Sequence, residues 1–176
     1  VALLAGAIAR EMGRDGRFVE GVVLASMVHD IGKIVVPAEI LSKPGKLTSL
    51  EFELIRVHPE AGASILGEID LPWPLADIVR QHHERLDGSG YPYGLEGGQI
   101  LEEARIIAVA DVVEAMASHR PYRPALGIGR ALAEIESGRG TRFDGPAVDA
   151  CLVLFREKGF VFQDPEAPQN AWTVTM

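Results

Sequence analysis

The stretch LEEARIIAVADVVEAMAS, Leu101 to Ser118, decides the fold. Ile106, Ile107, Val109, Ala110, Val112 and Val113 give it apolar character on more than one side of a helical wheel, so it reads as a central helix. One residue breaks that pattern: Asp111, between Ala110 and Val112. A carboxylate buried there needs a cation or strong hydrogen bonds, because an unpaired ion in a low-dielectric interior is costly. The same stretch therefore predicts a helical core and marks a candidate site inside it.

Working outward, helix follows helix. Leu4, Ala7, Ile8 and Met12 recur at helical spacing, and a second helix is expected from about Arg17 to Asp30. Residues 34 to 47 read as a connector. Thr48 and Glu51 form a capping box for a helix to about Val57, and Pro59 opens the next, to about Ile69. After the elbow Leu71-Pro72-Trp73-Pro74, a helix is expected over Leu75 to His83, then a Gly/Pro-rich loop from Asp87 to Gln99. Helices over Ala125 to Ile135 and Ala147 to Lys158 follow, the last capped by Asp144. The polar stretch from about residue 161 reads as a tail, leaving residues 1–160 as one domain. The fold class is an all-α bundle.

Composition agrees. Of 176 residues, 47% are hydrophobic and only 6% aromatic, which suits a core of Ala, Leu, Ile and Val between packed helices. No run approaches the roughly 20 apolar residues of a membrane span, and no secretory signal opens the chain. A cytoplasmic setting is expected. The single Cys151 excludes an internal disulfide framework and a cysteine-based zinc site, and its apolar neighbours suggest a core thiol. The net charge of −8 argues against a nucleic-acid polymer as ligand, though not against a small phosphate ester. The start, Val1-Ala2-Leu3-Leu4, carries neither Met nor a capping residue and reads as a truncated first helix.

The five histidines carry the chemistry: His29, His58, His82, His83 and His119. Four lie at the ends of expected helices, where side chains can converge. Imidazole binds first-row transition metals, and carboxylates add charge and can bridge two ions. Adjacent residues on an α-helix point about 100° apart, so His82 and His83 can both reach one centre only where their helix ends. His29-Asp30, His58, His82-His83 and Asp111 fall on four separate elements, which favours a metal site over scattered caps and core polar residues.

His29-Asp30-Ile31-Gly32-Lys33 and His82-His83-Glu84-Arg85-Leu86-Asp87-Gly88-Ser89-Gly90-Tyr91-Pro92 together resemble the HD-GYP family of HD metal-dependent phosphohydrolases. The resemblance extends through Lys43-Pro44-Gly45-Lys46, His58-Pro59-Glu60-Ala61-Gly62, Ala110-Asp111-Val112-Val113-Glu114 and His119-Arg120-Pro121-Tyr122-Arg123. It implies an HD-type bundle with a metal centre in its middle. It implies hydrolysis of cyclic di-GMP to pGpG, to GMP, or to both, by a metal-bridging hydroxide. Two divalent ions are implied, three in some members, commonly iron or manganese. One would be held by His29, Asp30 and Asp111, the other by His58, His82 and His83, with Asp30 bridging. A further histidine ligand is implied on the first helix, before Val1.

The resemblance also implies nucleotide contacts from Arg120 and Arg123, while Lys33 could contact a scissile phosphate oxygen and Tyr91 could pack on a base or anchor the loop. Lys33 could instead serve as a helix C-terminal cation, and the arginines as a solvated pair. Gly90-Tyr91-Pro92 is implied as a contact for diguanylate cyclase (GGDEF) domains, and an upstream sensor or receiver domain is implied as well. Two other functions stand beside the first: hydrolysis of another cyclic dinucleotide or nucleotide phosphate, and non-catalytic binding of a nucleotide or a cyclase.

Overall fold

A computed structural model describes residues 1–118 and 126–162. The described residues are helical, with two isolated β-bridges and no strand. In chain order the α-helices are α1 (Ala2–Glu11), α2 (Gly16–Val28), α3 (Ala38–Leu41), α4 (Ser49–Ile55), α5 (His58–Leu66), α6 (Leu75–Gln81), α7 (Glu102–Ala117), α8 (Ile128–Ser137) and α9 (Gly145–Arg156). Short 3₁₀ segments cover Ile31–Val35 and Gly97–Gln99.

Local chemistry sets these boundaries. Asp15 caps α2 by accepting the Phe18 N–H at 2.8 Å, a cap not read from the sequence. Thr48 and Glu51 form the expected capping box on α4, and Asp144 caps α9 through the Ala147 N–H at 3.1 Å. Five expected helices end two or three residues early: α2 stops at Val28, α4 at Ile55, α5 at Leu66, α6 at Gln81 and α9 at Arg156. The connector after Val36 contains a single turn of helix, α3, that was not expected. The expected helix start at Ala125 lies outside the described residues, and α8 begins at Ile128.

The α7 stretch is central, as its composition requires. Its residues Ala104, Ile106, Ile107, Ala108, Val109, Ala110 and Val113 are buried, and α1, α2, α6, α8 and α9 all pack on it. Leu4 and Ile8 of α1, Val22 of α2, Ile78 of α6, Ile135 of α8 and Val148 of α9 complete the core. Cys151 is buried among them, and burial pushes its thiol up to about 12, as befits a core residue. Phe155, Phe160 and Phe162 form a cluster at the end of α9, whereas Trp172 lies outside the described residues. Among the described residues no helix is long and apolar enough to cross a membrane.

One contact positions the site. Gly32 lies against α5, where a Cβ would overlap the His58 carbonyl and the Gly62 amide. A Cβ on Gly62 would in turn stand 3.0 Å from Val79 Cγ1 of α6. This close backbone approach seats the 3₁₀ turn after His29-Asp30 on the start of α5.

Candidate metal centre

Three histidines are oriented by one local device. His29 caps the end of α2, His58 opens α5 after the α4 turn, and His82 caps the end of α6. The Nδ1 of each meets the carbonyl three residues earlier: Ser26 at 2.7 Å, Ile55 at 2.8 Å and Val79 at 2.5 Å. A carbonyl only accepts, so the proton is on Nδ1, and in the neutral ring the lone pair is on Nε2. Because α6 ends at Gln81, His83 also turns toward the same centre.

The free nitrogens converge. Donor atoms of Asp30, His58, His82 and His83 lie within 4.8 Å of one another. His58 Nε2 stands 3.4 Å from His82 Nε2 and 3.4 Å from Asp30 Oδ1. His29 Nε2 lies 3.4 Å from Asp30 Oδ2 and 3.8 Å from Asp111 Oδ1. Asp30 thus turns one oxygen toward His58 and the other toward His29. Its Oδ1 is buried and has no hydrogen-bond partner. A buried carboxylate oxygen facing imidazole lone pairs is repelled unless a cation lies between them. This donor set of imidazoles and carboxylates fits divalent first-row metals.

Electrostatics point the same way. Burial, together with neighbouring histidines, pulls His82 down to about 4 despite its backbone hydrogen bond. Burial likewise lowers His58 and His83, so these three rings are neutral near pH 7. His29 is different: burial opposes its charge, but its hydrogen bond to the Asp111 carboxylate and the charges of Asp30 and Asp111 outweigh it and raise its pKa. Burial alone would raise Asp111, yet His29's hydrogen bond and the surrounding histidines hold it well below the usual carboxylate range. Asp30 is lowered too, by His29 and Lys33 against the effect of burial.

The other expected contacts divide. Lys33 Nζ donates to Asp30 Oδ2 at 2.6 Å, at the edge of the cluster. Tyr91 stacks on His83, with ring centroids 4.7 Å apart and planes 25° from parallel, and the Arg56 guanidinium lies 5.1 Å from the Tyr91 ring. His119, Arg120 and Arg123 lie outside the described residues. Sequence reading missed Glu84, which is only 2% exposed. Its carboxylate accepts the Tyr93 N–H at 2.7 Å and the Leu95 N–H at 3.1 Å, tying down the loop. Glu60 adds a second tie, accepting from the Tyr93 hydroxyl at 2.8 Å and from Arg80 at 3.0 Å. The sequence shows only that a glutamate follows two histidines, which does not mark it as buried.

The family model described as "HD domain" matches residues 1–147. The chain is 44% identical over 151 residues to the "Cyclic di-GMP phosphodiesterase response regulator RpfG" of Xanthomonas campestris, covering 85% of this chain and 40% of that protein. It is 39% identical over 143 residues to "3'3'-cGAMP-specific phosphodiesterase 1" of Vibrio cholerae, covering 79% and 33% respectively. The chain therefore spans well under half the length of these relatives. In structure it is similar to Bd1817, an HDG"Y"P protein of Bdellovibrio bacteriovorus, with TM-score 0.71 and 18% identity over 88% of this chain and 49% of that one. On this evidence the chain belongs to the HD domain family.

Proposed function

We propose that this chain is a metal-dependent phosphodiesterase domain that hydrolyses cyclic di-GMP to pGpG, to GMP, or to both. The observation that carries the reading is the convergence of imidazole nitrogens on the unsatisfied Asp30 Oδ1, in a chain whose relative at 44% identity is named for that activity. His29, Asp30 and Asp111 would hold one ion. His58, His82 and His83 would hold the other, with each oxygen of Asp30 facing one half. When bound, such ions supply Lewis acidity toward water and toward a phosphoryl oxygen.

The chain's own residues supply the rest. Neutral His58, His82 and His83 offer lone pairs without first losing a proton. Lys33, whose Nζ donates to Asp30 Oδ2, would meet a non-bridging phosphate oxygen. Arg120 and Arg123 supply further phosphate or guanine contacts on the strength of their motif. No protein nucleophile is required, and Cys151 is buried in the core with its thiol disfavouring ionisation.

Iron or manganese fits the imidazole-carboxylate set, with two ions, or three where a further ligand completes the site. A cytoplasmic setting, an upstream sensor or receiver domain, and cyclase docking through Gly90-Tyr91-Pro92 belong to the same reading. One alternative is supported by a specific observation: a relative at 39% identity is named for 3'3'-cGAMP. The test is side-by-side turnover of cyclic di-GMP and 3'3'-cGAMP by anaerobically metal-loaded protein, with products separated by chromatography. Faster cleavage of cyclic di-GMP is expected. Preference for 3'3'-cGAMP would establish the alternative, and cleavage of neither would overturn both.

A further inference from the structure

Of the four clustered imidazoles, three are oriented by hydrogen bonds to carbonyls; His83 is not. Neither of its ring nitrogens has a hydrogen-bond partner among the described residues, whereas His29, His58 and His82 each have one through Nδ1. A ligating histidine ordinarily relies on such a partner to fix ring plane and tautomer. His83 is held by rings instead. His82 lies 4.0 Å away at 41°, His58 5.0 Å away at 84°, and Tyr91 4.7 Å away at 25°, the flattest stack of the three. His58 and His82 are themselves donors to the centre, so Tyr91 is the neighbour free to act purely as a brace.

Tyr91 is itself closely constrained. Its N–H donates to the carbonyl of His83 at 3.3 Å, so backbone and ring both bind it to the residue it covers. The edge of Phe52 meets its ring at 6.2 Å, and Arg56 approaches it as well. Gly90, just before it, rests on the backbone of Glu84 and Arg85, where no Cβ fits. Beyond it, buried Glu84 accepts the N–H groups of Tyr93 and Leu95. The loop leaves His83, folds back across it, and is locked by the next residue in sequence.

We propose that Tyr91 is the positioning residue for His83, doing by ring stacking what carbonyls do for the other histidines, and that Glu84 holds Tyr91 in register. The inference rests on the reading of the cluster as a metal centre. It assigns the work to the aromatic ring and none to the phenol hydroxyl, unlike a role in substrate binding through that hydroxyl.

The test is a cobalt(II) titration of metal-free protein, read by visible absorption and by the binding isotherm, with no substrate present. Tyr91→Ala is expected to weaken the affinity of one ion by about 10-fold or more, the scale set by loss of a ligand's outer support, while Tyr91→Phe restores it. Glu84→Gln, which removes one of the two acceptor oxygens, is expected to shift the isotherm in the same direction by less. Circular dichroism verifies the fold of each variant; should Tyr91→Ala not fold, Glu84→Gln carries the test. A Tyr91→Ala isotherm equal to wild type, or Tyr91→Phe as weak as Tyr91→Ala, would overturn the positioning role alone. Wild-type protein that takes up no cobalt would overturn the metal centre and the inference with it.

Discussion

Asp30 Oδ1 lies 3.4 Å from His58 Nε2, and no hydrogen bond satisfies that carboxylate oxygen. The His58 proton is committed to the Ile55 carbonyl on the other side of the ring, and burial keeps the ring neutral. Two electron-rich atoms therefore face each other across a space that suits a cation. Asp30 Oδ2, by contrast, is engaged by Lys33 at 2.6 Å and approached by His29, whose pKa is raised. The two sides of one carboxylate are prepared differently.

Metal uptake should therefore release protons chiefly from His29. Its pKa is raised by Asp111 and Asp30 against the effect of burial, so it holds more firmly than a free imidazole the proton that a ligating nitrogen must lose. Affinity is expected to fall as pH drops below that raised value. Calorimetric titration in buffers of different ionisation enthalpy measures the released protons directly, and an uptake independent of buffer would contradict this.

The metal-free protein should lose stability on acidification from about pH 6.5 toward 4. His82 titrates near 4 when folded and near 6.5 when unfolded, so in that window the unfolded chain binds more protons. Each such histidine contributes a slope of about 1 kcal/mol per pH unit. His58 and His83 shift in the same direction; His29 opposes them, its contribution being fullest at low pH and lost as pH rises through its raised pKa. Denaturant midpoints of chelator-treated protein at pH 7 and pH 5 check the sign. A higher midpoint at pH 5 would contradict it.

Gly32→Ala should damage the site from outside it. The added methyl would meet the His58 carbonyl and the Gly62 amide, both backbone, so a helix must move rather than a side chain. Overpacking of this kind costs about 1–3 kcal/mol, and backbone obstruction puts it at the upper end. Thermal melts should show the loss. Metal affinity should fall in addition, because His58 is carried by the displaced segment. An unchanged melting temperature would contradict the packing account.

Sequence carried much of this fold, for identifiable reasons. Residues 101–118 were legible as the central helix because apolar side chains on several faces leave no side for water, and Asp111 stood out against them. Thr48 and Asp144 were legible as caps because capping is local. The six expected donor residues were named on their types, positions and motif; four of them, Asp30, His58, His82 and His83, have donor atoms within 4.8 Å of one another, and His29 stands 3.4 Å from Asp30 and 3.8 Å from Asp111. Glu84 was not legible: its partners, the amides of Tyr93 and Leu95, lie nine and eleven residues on, within a loop that has no periodicity. The early ends of α2 and α6 were hidden too, since helical spacing continues through residues that the tertiary packing turns away.

The central claim is that Asp30 joins both halves of a metal centre that hydrolyses a cyclic dinucleotide. The most direct test measures metal content and cyclic di-GMP turnover on the same samples of wild-type protein and Asp30→Asn, which keeps the side-chain volume and removes the charge. Bound metal should be lost from the variant, and turnover should fall by more than about 100-fold, beyond what outer-shell substitutions cost. Full metal content and an undiminished rate in Asp30→Asn would contradict the account.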